Sequence, residues 1–423
     1  MSKKKKKTSR VNLQKVSKAQ QRNDFIKHLK SYCDSLTNSQ VFSLIPQHEI
    51  ETLYNQRCRA IRIIPAMHQK IPAKVIDEFK YFIATILKKN TIHIGIGSVA
   101  KIPFRDYFTY VMALTLFGER LKNDVFQGAD KVKEALTPLV VLADSGFYEK
   151  AWQDYNQIIN TSSILNSSIT DGLNVGFYEL KLSVGGDIGL FPFAEIHRMH
   201  PEKIQVSING DKRPAYKLGW FLPYPAPYCQ PATIKSEQLG LQPGFSLDVY
   251  VQAHALDRLI ERMDGLVVGY LHYAIFDSFQ NVKVCKNKKG DLLFEYHAFG
   301  IKTGYFKGDV IEGKLILRTF LFLTNNGTPE GERLHQNTGL MKEDKIYLTI
   351  DKCSTFVNSD IASNPRVKEI FIQAGCEDLF KLDKNIYLSH AGTKERTIAD
   401  QIARYLKLGN TLTEITGNVD ASE

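Results

Sequence analysis

Apolar residues recur at helical spacing through the first part of the chain and at strand spacing through the later part. Phe25, Leu29, Tyr32, Cys33 and Leu36 fall at offsets 0, 4, 7, 8 and 11, the stripe of an amphipathic helix. Pro72 opens a second helix, expected over residues 73–89, with Val75, Ile76, Phe79, Phe82, Ile83, Ile86 and Leu87 facing inward. A proline suits its first turn, and Lys88 and Lys89 suit the negative end of its dipole. Further helices are expected at 105–121 and 144–160, with a short strand near 91–94. The polar stretch TSSILNSSITD, 161–171, is expected to be a linker or long loop.

Beyond it the period changes. FYELKLSV, KIQVSING and AYKLGWFL are short β-type runs, with Asn209-Gly210-Asp211 as a hairpin turn. PYPAPYCQP cannot join a central strand, because its prolines lack the backbone donor. From residue 245 a strand (246–251), two helices (from 253, and 267–278) and β-runs at 282–286, 292–299, 302–311 and 314–324 are expected. A short helix from Thr328, a strand at 345–350 and helices at 365–373 and 394–408 complete the pattern. The expected class is α+β: a helical region (20–165), a β-rich segment (166–244) and an antiparallel sheet packed with helices (245–408), between a disordered basic arm (1–19) and a flexible tail (409–423).

Charge changes the picture only at the N-terminus. Residues 1–27 hold ten Lys/Arg, among them Lys3, Lys4, Lys5, Lys6 and Lys7, and one acid, a net +9 of the chain's +10. The remainder is nearly neutral. An arm of this kind self-repels and attracts polyanions by counterion release, so nucleic acid or another polyanion is the expected partner. The competing expectation is a solubilising tail on a protein whose body contacts another protein. No apolar run reaches the roughly 18 residues of a membrane span. No signal peptide is read, and six scattered cysteines without a CxxC pair suit a reducing compartment, so the expected location is the cytoplasm.

Candidate chemistry centres on VQAHALDRLIERMDG. His254, Arg258, Glu261 and Arg262 share one side of a helix, opposite Leu256, Leu259, Ile260, Met263 and Val267. Arg258 and Arg262 form a like-charge pair four residues apart, as do Asp257 and Glu261, an arrangement mildly unfavourable unless something compensates. Strand alternation places Glu295 and His297 on one face, and in 314–324 points Leu315, Leu317, Leu321 and Leu323 to the core, with Arg318 sharing the other face with Phe320 and Phe322. A carboxylate, a histidine and an arginine meeting the His254 stripe would supply a general base, its orienter and an anion clamp. The catalytic candidates are therefore His254, Glu261, Glu295 and His297, and the anion-binding candidates are Arg258, Arg262, Arg318 and the arm lysines. A solvated helix face and cross-strand pairing explain the same residues without chemistry.

HALDRLIER resembles the His-Ala-x-x-Arg-x-x-Glu-Arg helix of small bacterial domains related to the BrnT toxins. The resemblance covers residues 254–324 and implies a RelE-like ribonuclease fold, helices against a curled antiparallel sheet. The chain departs from that family in its second long helix before the sheet and in its much greater length. Other motifs are set aside. Gly95-x-Gly97-x-x-Ala100 is followed by Lys101-Ile-Pro103, which interrupts the helix a dinucleotide needs. Glu195, His197 and His200 would share one helical turn but lack a further ligand, so neither metal nor cofactor is expected.

Overall fold

The structure is a computed structural model that describes residues 17–98, 101–170, 173–182, 190–208, 210–222, 228–382 and 397–406. The arm lysines Lys3 to Lys7 and the expected tail, 409–423, lie outside the described residues. The fold is α+β, in two compact units: 1–162 with 176–196, and 163–175 with 197–423. The strands expected at 166–244 are divided between them.

In the first unit, helices α1 (Lys18–Thr37), α2 (Gln47–Gln56) and α3 (Ala73–Lys89) surround an apolar core. Strand β1 (Arg62–Pro65) precedes α3, and the β-hairpin of β2 (Thr91–His93) and β3 (Lys101–Pro103) follows it. Phe25, Leu29, Cys33 and Leu36 are buried along α1, while Tyr32 is half-buried. A helical run then begins as α4 (Phe104–Asp106), widens into a π turn (Tyr107–Val111) and continues as α5 (Met112–Arg120). After α6 (Ala129–Leu142) and a kinked segment (Ala143–Phe147) in which Gly146 has a φ of 83°, α7 (Tyr148–Leu165) runs well into the stretch expected to be a linker. Within TSSILNSSITD, Ser162 donates to the Ile158 carbonyl four residues back, so a polar side chain bonds within the helix there instead of breaking it. Strands β4 (Leu173–Leu182) and β5 (Leu190–Met199) join β1, which pairs parallel with β5. Residues 195–199 are therefore strand, and the helical turn expected to gather Glu195, His197 and His200 does not form.

The second unit is built on an eight-stranded sheet. Its first strands are β6 (Lys203–Ile208) and β7 (Asp211–Lys217), the hairpin expected at Asn209-Gly210. Next come β8 (Gly219–Leu222) and β9 (Tyr228–Pro231), which form a separate two-stranded ribbon. Strand β10 (Thr233–Lys235) and β11 (Ser246–Gln252) lead into α8 (Ala253–Arg262) and α9 (Val268–Gln280). A meander of β12 (Val284–Lys286), β13 (Leu292–Ala298), β14 (Ile301–Ile311) and β15 (Lys314–Phe322) returns beside β11. The order is β12-β13-β14-β15-β11-β7-β6, with β10 also on β11. Neighbours are antiparallel except β11 and β15, which run parallel, so the sheet is mixed where a purely antiparallel one was expected.

Two expectations for this unit are corrected. Residues 345–350 are no strand: α11 (Lys342–Tyr347) ends there, after α10 (Pro329–Thr338), because Asp344 caps the helix by accepting from the Met341 amide. In β15 a bulge opposite Lys307/Gly308 leaves Arg318 without a partner and resets the alternation. Leu315 and Leu317 stay inward, but beyond the bulge Phe320 and Phe322 are buried and Leu321 is only half-buried. Helices α12 (Cys353–Val357), α13 (Pro365–Gln373) and α14 (Ala399–Tyr405) complete the unit. Among the described residues no helix is long and apolar enough to cross a membrane.

Candidate functional site

Helix α8 buries Ala255, Leu256 and Leu259, and it packs against β15. Ile260, expected on the apolar face, is exposed, and Arg262, expected on the polar face, is buried. The like-charge pairs find their compensation in two places. Glu261 lies between both arginines, 2.6 Å from Arg258 and 3.6 Å from Arg262. Burial pushes its carboxyl up, but the hydrogen bond from Arg258 and the charge of Arg262 outweigh this and hold it low. The guanidinium of Arg262 also forms an ion pair with Asp351, which is fully buried and has no hydrogen bond of regular geometry. Burial draws the Arg262 pKa down, opposed by Glu261. Just past α8, Asp264 accepts from both the amide (2.9 Å) and the hydroxyl (2.7 Å) of Ser354, capping α12. His254 is half-buried and makes no hydrogen bond or ion pair among the described residues. The stripe is thus a clasp between α8 and the segment around Asp351, and both its arginines already face carboxylates.

Arg318 pairs with Asp309 on the neighbouring strand. No hydrogen bond or ion pair among the described residues joins the α8 stripe to Arg318, Glu295 or His297, so the constellation expected from sequence is not assembled.

Glu295 and His297 do come together, as alternation requires, with Nε2 of the histidine 3.5 Å from the Glu295 carboxylate. They lie on the face of β13 opposite Phe294 and Tyr296, whose rings and hydroxyl meet α9. Register sets Tyr305 across from Glu295 and Lys302 across from His297. Above them stands Glu330, in the first turn of α10, where the helix N-terminus favours a carboxylate. Its Oε1 accepts from Lys302 (2.9 Å) and Tyr305 (3.2 Å), and Arg333 approaches to 3.7 Å. Its Oε2 is buried without a partner. Lys302 also lies 3.7 Å from Glu295, so one ammonium is shared by two carboxylates. Burial pulls its pKa down, and the hydrogen bond and charge of Glu330 raise it overall. Burial lowers His297, against the charge of Glu295, leaving a neutral imidazole at neutral pH.

Helix α10 reaches this position because Thr328 caps it, accepting from the Gly331 amide at 2.9 Å, and because any side chain at Gly331 would strike the Asn325 carbonyl. Behind it Lys345 is buried, its ammonium hydrogen-bonded to Asn326 and to the Gly331 carbonyl (2.9 Å), and burial lowers its pKa to about 8. Lys302, Tyr305, Glu330 and Arg333 were not singled out in the sequence. The readable signal was the paired facing of Glu295 and His297; the approach of Glu330, 28 residues beyond Lys302, leaves no local trace. The cluster can bind an acceptor at Lys302 and exchange a proton at His297.

Comparison with known proteins finds no matching protein-family model, no matching curated protein and no matching solved structure.

Proposed function

We propose that this chain associates with nucleic acid or a comparable polyanion through its Lys-rich arm, while the folded units work from a nearly neutral body. The observation that carries this reading is the segregation of charge: residues 1–27 hold a net +9 of +10. Such a segment gains affinity from releasing condensed counterions and needs no particular sequence in its partner. That partner, together with six cysteines that remain thiols, favours the cytoplasm. Deleting residues 1–19 is expected to abolish most binding to generic RNA or DNA at low salt, and intact binding to fall steeply as salt rises. Unchanged binding after the deletion overturns the reading.

A second reading is favoured by the neutral His297 beside Glu295 and Lys302. A ribonuclease-like module, as the BrnT resemblance implies, would use His297 to take the proton of an RNA 2′-hydroxyl as that oxygen attacks the phosphorus, the bond to the 5′-oxygen breaks and that oxygen leaves with a proton from water, with Glu295 orienting the ring and Lys302 stabilising the phosphate charge. In this reading the anion clamp is Lys302, which register sets across from His297, whereas no ion pair among the described residues brings Arg258 or Arg262 to that histidine. Cleavage of single-stranded RNA that drops by at least about 100-fold in His297→Ala supports it, the usual weight of a general base. Equal cleavage by both proteins, or none by either, ends it and leaves a binding protein without catalysis.

A further inference from the structure

The first unit carries a row of aromatic rings beside the root of the arm. Tyr110, on the π turn, has its ring 5.5 Å from Phe25, 5.6 Å from His28 and 5.4 Å from Tyr32, the last pair stacked at 23°. Phe25 continues the row to Tyr54 at 5.4 Å, and the Arg57 guanidinium lies over the Tyr54 ring at 3.6 Å. The wide turn accounts for the placement: it directs Tyr107, Phe108 and Val111 into the core and leaves Tyr110 against α1.

This row differs from the unit's interior aromatics. Phe108 and Tyr155 are closed over, at 2% and 3% exposure. In the row only Phe25 is buried; Tyr32, Tyr54, Tyr110 and Arg57 are half-buried and His28 is exposed. The hydroxyls of Tyr54 and Tyr110 and the ring nitrogens of His28 have no hydrogen-bond partner among the described residues. Nearby acids are mostly engaged: Glu51 holds Arg22, and Asp106 accepts from Tyr32 and Arg105. Asp24 bonds only to Gln20, while Lys27 and Lys30 on the same helix are exposed and unpaired among the described residues.

Resting on the arm reading above, we infer that this ring row is a stacking surface for the bases of single-stranded nucleic acid whose phosphates the arm and the α1 lysines hold. Helix α1 begins at Lys18 and takes in the last two residues of the expected arm, so the basic segment runs straight into the helix that carries Phe25, His28 and Tyr32. Bases present π faces of every sequence to aromatic rings, whereas a duplex hides those faces. A lipid surface would meet the same charges but offers the rings nothing to stack on.

The test uses the full chain with a labelled oligothymidylate, a duplex of equal phosphate number and phosphatidylserine vesicles. The strand is expected to bind more tightly than the duplex. His28→Ala and Tyr110→Leu should each weaken strand binding by roughly tenfold and leave duplex binding unchanged, as expected when a stacked base loses its platform. Tyr81→Ala, an exposed tyrosine on α3 outside the row, should change neither. Circular dichroism reports whether Tyr110→Leu folds; the exposed His28 keeps the test decisive if it does not. Equal strand and duplex affinity with no effect of either variant overturns the inference and leaves the arm reading standing. So does preference for vesicles over the strand. Failure to bind any of the three overturns both.

Discussion

The α8 stripe and the β13–β14–α10 cluster each gather acids and bases within a few ångströms, yet the two are closed in different ways. On α8 every arginine has its own carboxylate: Arg258 has Glu261 in open solvent, and Arg262 has Asp351 in the interior. In the cluster one ammonium, Lys302, serves two carboxylates, one oxygen of Glu330 is left over, and a neutral histidine stands at the side. Cations matched one to one with carboxylates make a fastening. Incompletely matched ones leave a group able to accept a proton, and for that reason the proposed chemistry is placed on the sheet rather than on the more conspicuous helix motif.

The comparison breaks most sharply at Asp351. Asp351→Ala leaves Arg262 buried without its carboxylate and is expected to cost about 3–5 kcal/mol in denaturant unfolding, whereas Arg262→Met with Asp351→Leu should recover most of that loss, because removing both charges avoids an unpaired buried ion. A loss below about 1 kcal/mol would mean that the pair is no fastening.

A smaller effect sharpens the cluster side. Lys345 supports the N-terminus of α10 from below, with its pKa lowered to about 8 in the folded chain against an unfolded value of 10.5. Between these values the unfolded chain carries the extra proton, so the contribution of Lys345 to stability should rise from pH 8 towards 10, by at most about 1.4 kcal/mol per pH unit, read as the difference in slope between the wild type and Lys345→Met. Buried cysteines such as Cys33, Cys58 and Cys376 from about pH 9, and buried tyrosines such as Tyr270 above about pH 10, all raised to about 12 chiefly by burial, oppose the trend because the folded state keeps their protons. The gain should vanish in Lys345→Met; an identical slope in that variant would assign it elsewhere.

The smallest effect is expected at the exposed end of the stripe. Arg258→Ala should change stability by less than about 0.5 kcal/mol, the usual weight of a surface ion pair, with still less at high salt. A larger loss would place Arg258 in the fastening with Arg262.

Much of the fold was legible because burial follows period. The α1 and α3 stripes, the β13–β15 meander and the Thr328 cap needed only local spacing. Three things were not local. The serines of 161–171 read as a loop, but in α7 a hydroxyl such as that of Ser162 bonds back to a carbonyl of the same helix. The bulge at Arg318 depends on how β14 and β15 align, so it reversed the facing of Phe320 and Leu321 without any mark in β15 itself. Residues 345–350 alternate well enough to suggest a strand, and the Asp344 cap decided for helix. Within the site, the Glu295 and His297 facing was readable, while Asp351 and Glu330 arrive from other elements. The like charges at Arg258 and Arg262 signalled that a partner existed and could not say which.

The parallel seam between β11 and β15 bears on how the chain is made. Val251 must wait for Leu317, and everything between them, two helices and three strands, emerges from the ribosome first. During that interval β11 can pair with β7 and β10, while its other side offers unbonded amides and carbonyls to any passing strand. Closing so long a loop is slow. The amphipathic α8, next in the chain after β11, packs on the sheet chiefly through β15, so most of that packing forms only when the last strand of the meander arrives.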